Sequence, residues 1–184
     1  LTYEGKRKCV FVNRAFNMIP VNINLPQKSY EGTILDGELY ENTLFVYDAL
    51  LINGEPVGHL NLYDRLQGAT KIINSTIQMK FDKHRLKLKT FHSMRDFDHF
   101  MYEYLPQIQQ KVDGLVFTPV QEPMRIGTHE TMFKWKPREK NTVDFQMKRG
   151  ESFKGLGQKG EPVWKLYVQE KGKLFYESEF PISR

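Results

Sequence analysis

Cysteine is almost absent from these 184 residues: Cys9 stands alone, so no disulfide can close within the chain. A reducing compartment is the expected setting. Histidine is scarce too. The five at positions 59, 84, 92, 99 and 129 are scattered, and with a single thiol they offer no zinc-ligand spacing. No apolar run approaches the roughly 18 residues of a membrane-spanning helix. The polar first residues do not read as a signal peptide, and a chain that starts without Met is expected to be a piece of something longer. Aromatic residues are what the chain has in plenty. With 13 Phe, 9 Tyr and a hydrophobic fraction of 40%, it can bury one substantial core and begin a second domain. The net charge of +5 is a small surplus that favours acidic partners such as nucleotides or nucleic acid.

Short β-branched or aromatic runs, punctuated by Gly, Pro, Asn and Asp, predict strands at 8–13, 32–40, 43–52, 85–91, 114–119, 132–137 and 142–148. Helical spacing predicts two helices. Leu62, Leu66, Ala69 and Ile73 align over 61–73. Met94, Phe97, Met101, Tyr104 and Ile108 align over 93–111, with Ser93 as N-cap and Pro106 as a kink or early stop. Strands with helices inserted among them imply an α+β fold built mainly on antiparallel sheet. Composition turns to Gly and Lys at 150–162, which reads as a linker between a first domain (1–149) and a hairpin within 163–184 turning at Glu170-Lys171-Gly172. Gly155, Gly157 and Gly160 satisfy G-x-G-x-x-G, but that fingerprint needs a strand before it and a helix after it. A lysine-rich loop precedes and Glu161-Pro162 follows, so no dinucleotide site is expected there.

The chemistry-bearing residues come in alternating pairs. In "FKWKP" a strand would set Lys134 and Lys136 on one face and Phe133 and Trp135 on the other. Buried aromatics would then leave two ammonium groups in one cleft as a phosphate clamp; the alternative is a solvated lysine face. "LDGELY" pairs Asp36 and Glu38 in the same way. Facing a cleft, they suit ribose hydroxyls, a metal ion or a lysine; on an open surface they are merely solvated. Asp113 in "VDGLVFTP" is a hard-cation ligand or part of an Asp-Gly turn. "LKLKTFHSM" sets Lys87 and Lys89 on one face, and Phe91 at its end stacks on a base or packs in the core. The basic run from Lys80 to Lys89 is an RNA-facing patch or a solvated face.

In this order and spacing, "TILDGEL", "KTFHSM", "VDGLVFTP" and "FKWKP…NTVDF" resemble motifs III, IIIa, IV and V of the lysine-dependent nucleotidyltransferases. More narrowly they resemble those of mRNA capping enzymes, the GTP:RNA guanylyltransferases. "DALLINGEPVG…YDRLQ" is similar to the segment after motif III in that family. The resemblance spans about residues 1–148, and the hairpin that follows is similar to the start of the family's C-terminal OB-fold. It implies a nucleotidyltransferase domain followed by an incomplete OB-fold. It implies an enzyme that passes GMP from GTP, through a lysyl-GMP adduct and with Mg²⁺ or Mn²⁺, to the diphosphate 5′ end of RNA. The implied partners are GTP, the RNA 5′ end, and RNA triphosphatase and cap methyltransferase units, fused or associated, with no membrane. The implied setting is intracellular: the nucleus for a cellular protein, the cytoplasm or virion for a viral one. An ATP-dependent polynucleotide ligase is the neighbouring reading, and a non-catalytic nucleotide or RNA-end binding domain is the third.

By the same resemblance Arg7 and Glu38 contact the ribose, Phe91 stacks on guanine and Asp113 supports the metal. Lys134 and Lys136 neutralise the α-phosphate and lower the pKa of the nucleophile, while Asp144 orients a motif V lysine or a phosphate-bound water. "YEGKR" is similar to the tail of motif I, with Glu4 in place of its Asp. The nucleophilic lysine should stand two residues before Glu4, where this chain has Thr2. Either the nucleophile has been replaced, or the register differs, or a covalently modified lysine belongs between Thr2 and Tyr3. We favour the last, because the remainder of the site is intact.

Overall fold

A ten-residue strand organises the first half of the chain. The structure, a computed structural model, describes residues 2–3, 6–77, 79–80, 82–108, 112–152 and 160–182. By its internal contacts the chain divides into two units, Leu1–Trp135 and Lys136–Arg184.

The first unit begins with two short hairpins, β1 (Thr2–Tyr3) on β2 (Lys6–Arg7) and β3 (Cys9–Val12) on β4 (Met18–Val21). Then comes its main sheet. β5 (Ile34–Tyr40) runs antiparallel to the long strand β6 (Thr43–Ile52), which also pairs antiparallel with β7 (Glu55–Pro56). Helix α1 (Leu62–Asn74) crosses over, and β8 (Arg85–Leu88) returns parallel to β6. The helix starts where Asn61 accepts a hydrogen bond from the Asp64 N–H at 3.0 Å. Its apolar stripe covers one face of the sheet, and Val46, Ala49 and Ala69 are wholly buried between them. Gly37 is required on β5: a Cβ there would stand 2.9 Å from the Phe45 carbonyl oxygen. The unit closes with an antiparallel pair, β9 (Leu115–Phe117) and β10 (Phe133–Trp135).

The second unit is a three-stranded antiparallel sheet of β11 (Gln146–Glu151), β12 (Pro162–Glu170) and β13 (Lys173–Pro181). The hairpin turns as expected at Lys171 (φ 47°) and Gly172 (φ 79°), the two left-handed residues that a tight turn needs. The whole is α+β with mostly antiparallel sheets and few helices. Among the described residues, no helix is long and apolar enough to cross a membrane.

Several sequence expectations need adjusting. The strand predicted over 132–137 runs only from Phe133 to Trp135, and both aromatics are exposed, Phe133 by 64% and Trp135 by 44%. β10 pairs with β9 in a two-stranded ribbon, and three residues cannot bury one face of it. The strand predicted over 142–148 begins only at Gln146 and continues to Glu151, because its hydrogen-bond ladder is with β12. The helix predicted over 93–111 runs from Met94 to Gln107, capped by Ser93 through the Arg95 N–H at 3.2 Å and widening to a π-type turn at Phe100–Tyr104. Residues 109–111 of that helix, and 153–159 of the expected linker with Gly155 and Gly157, lie outside the described residues.

Candidate nucleotide site

The register of the main sheet sorts its charged side chains from its apolar ones. Gly37, Val46 and Leu88 share one row, on the face that α1 covers. The adjacent row of Glu38, Phe45 and Lys87 therefore points to the opposite face. Lys89, just past β8, donates its backbone N–H to the Val46 carbonyl at 2.7 Å, and its Nζ lies 3.2 Å from Glu38 Oε2 in an exposed ion pair. Asp36 and Asp48 oppose each other, and Tyr47 is the extra residue of a bulge. Its hydroxyl donates to Asp36 Oδ1 at 3.0 Å. Burial, and then the negative Asp36, push the Tyr47 phenol up to about 12, against the pull of Arg14. Each of the paired carboxylates thus has a donor from the protein.

Lys134 lies on β10 directly opposite Val116 of β9, and both are exposed. Asp113 is exposed two residues before β9 begins. Phe91 is exposed in the segment after β8. Arg7 lies on β2 opposite Thr2, and lines a polar cavity of about 250 Å³ with Lys8, Cys9, Asn22, Tyr30 and Asp82. Burial pushes the Cys9 thiol up, and the thiol faces the Ile23 carbonyl at 3.5 Å. Lys136 and Asp144 belong to the second unit, both exposed. Glu4 lies outside the described residues. The structure thus joins Glu38 to Lys89 and Asp36 to Tyr47, sets Lys134 beside the strand that follows Asp113, and carries Arg7 on a separate hairpin. Among the described residues, no three His, Cys, Asp or Glu side chains gather as a metal cluster.

Two charged groups escaped the sequence reading. Asp48 is buried in β6 and pairs with Arg65 of α1, Nε to Oδ1 at 2.6 Å and Nη2 to Oδ2 at 2.9 Å. Arg65 also donates to the carbonyls of Leu60 and, at 3.0 Å, Glu122. The loop between β9 and β10 is fastened to itself as well: Thr131 donates to Glu122 Oε2 at 2.8 Å beside His129. The signal was an acid inside an apolar ten-residue run, matched by an arginine three residues after Leu62 on the apolar stripe of α1.

Fold and site together define an α+β domain whose main sheet presents an acid–lysine pair, Glu38 with Lys89, and a tyrosine-bound carboxylate, Asp36. Residues 1–138 match the catalytic domain of mRNA capping enzymes, and the chain belongs to that family. It is 28% identical over 174 aligned residues to the mRNA-capping enzyme subunit alpha of Candida glabrata, covering 78% of this chain and 39% of that one. The corresponding subunit of Saccharomyces cerevisiae is 29% identical, with 78% and 38% covered. The mRNA-capping enzyme of Danio rerio is 30% identical, with 64% and 22% covered. The chain thus spans well under half the length of these curated relatives.

Proposed function

We propose that the chain is the nucleotidyltransferase part of an mRNA guanylyltransferase. The family match over residues 1–138 carries this reading, since it takes in the segments of Glu38, Phe91, Asp113 and Lys134 together. The sequence has Thr2 where motif I carries its lysine, so the reaction requires a lysine beside Tyr3 that the sequence does not show: its neutral Nζ would attack the α-phosphorus of GTP, a P–N bond would form and pyrophosphate would leave. The terminal phosphate oxygen of a 5′-diphosphate RNA then attacks the same phosphorus, the P–N bond breaks and the lysine is restored. An ammonium is no nucleophile, so its proton must leave first. Lys134 and Lys136 disfavour a third positive charge nearby and stabilise the charge that grows on phosphate oxygens. Glu38, braced by Lys89, and Arg7 hold the ribose, and Phe91 offers a ring to guanine.

A single exposed carboxylate, Asp113, fits a Mg²⁺ or Mn²⁺ ion that takes its other ligands from water and phosphate. When bound, that ion supplies charge neutralisation at the phosphates. The β11–β12–β13 sheet is in our reading the start of an OB-fold. The fungal relatives are named as alpha subunits. That fits association with an RNA triphosphatase and a cap methyltransferase, in the nucleus for a cellular protein.

The test is incubation with α-labelled GTP or ATP and Mg²⁺, followed by denaturing electrophoresis. Label from GTP that then moves to 5′-diphosphate RNA is the expected result. Label from ATP alone would make the protein a ligase. Nucleotide binding without any covalent label would mean that Thr2 truly replaces the nucleophile, leaving a binding domain.

A further inference from the structure

The open face of the main sheet continues beyond Glu38. The row of Tyr40, Thr43 and Arg85 lies two residues further along β5, β6 and β8, so it shares the face of Glu38, Phe45 and Lys87. That face carries a cation on the edge strand at each row, Arg85 and Lys87, with Lys89 beyond them against Glu38. Arg85 and Lys87 are exposed, and among the described residues neither is paired with a carboxylate. Beside the cations stand two rings, Tyr40 exposed by 44% and Phe45 half-buried. Alternate strand residues recur every ~6.6 Å, a step of the same order as one nucleotide of extended single strand. Aromatic rings interleaved with evenly spaced cations are the furniture of single-strand binding, because rings stack on bases while the cations follow the phosphates.

We propose that this face is the track for the acceptor RNA, its 5′ end directed toward the nucleotide held at Glu38 and its body passing over Lys87, Tyr40 and Arg85. The identity of the strand as RNA rests on the guanylyltransferase reading; the face as a single-strand track does not. Lys89 is neutralised by Glu38, so Arg85 and Lys87 supply the charge that grips the chain.

The experiment measures binding of a short 5′-diphosphate single-stranded RNA by fluorescence anisotropy over a salt series. For an Arg85→Ala/Lys87→Ala double variant, Kd should rise about tenfold or more, and the slope of log K against log salt should shrink by about 1.4, two phosphate contacts of a single strand. Tyr40→Ala should weaken binding about tenfold with the slope unchanged. Lys28→Ala/Lys71→Ala, exposed lysines off this face, should leave both as they are. Formation of the GMP adduct should survive the Arg85/Lys87 change, since no RNA takes part in it. Wild-type RNA affinity and slope in the double variant overturn the track, as does an equal loss of affinity for an acidic peptide. A wild-type protein that forms no adduct defeats the guanylyltransferase reading instead, and the salt slope still decides the track.

Discussion

Tyr47 is a titratable contact of the proposed site with a definite pH signature. Its phenol is raised from 10.0 to about 12, first by burial and then by the negative Asp36, so the neutral phenol's contribution to the fold is fully present below pH 10. That stabilisation is lost as pH climbs from 10 through 12, where the phenolate would face a carboxylate. Tyr47→Phe should remove this alkaline fall in stability, and near-UV titration of the wild type should show one tyrosine ionising later than the rest. Lys134 has a different signature. Lys134→Ala should leave thermal stability nearly unchanged, because the side chain is exposed, yet slow adduct formation by ~10²–10³ through lost charge stabilisation. Single-turnover rates with labelled GTP check it. Strand alternation alone made the shared face of Asp36 and Glu38 legible. It could not show that Lys89 reaches Glu38 or that Tyr47 reaches Asp36, since those contacts depend on a parallel pairing of residues 42 apart in the chain, such as Phe45 with Lys87, and on a bulge.

Among the elements, the joint between β6 and α1 is where charge does structural work. Removing one member of the buried Asp48–Arg65 pair leaves the other charged and dry, so Asp48→Asn or Arg65→Leu should cost ~3–5 kcal/mol in urea unfolding. Replacing both with apolar residues should recover most of that loss; a loss as large as the single changes would mean that the Leu60 and Glu122 carbonyls held by Arg65 matter more than the pair. The long strand β6 and helix α1 were legible nearly to the residue, because a ten-residue apolar run and a clean helical stripe each bury one side. Met18–Val21 was not, since its Pro20 and flanking Asn residues read as loop, and it exists as a strand only through its pairing with β3. The strand at Gln146–Glu151 was displaced in the reading for the same reason: its partner, not its composition, sets its ends.

For the whole molecule, the family was legible because short motifs in a fixed order are more specific than any one of them, and residues 1–138 bear this out. The proposed activity requires a lysine where the sequence has Thr2, and mass spectrometry of the denatured protein after exposure to GTP and Mg²⁺ tests that requirement most directly. The account predicts a gain of one GMP on a lysine in the peptide that holds Tyr3 and Arg7. An unchanged mass, with Thr2 joined directly to Tyr3 and nucleotide still bound before denaturation, would contradict it.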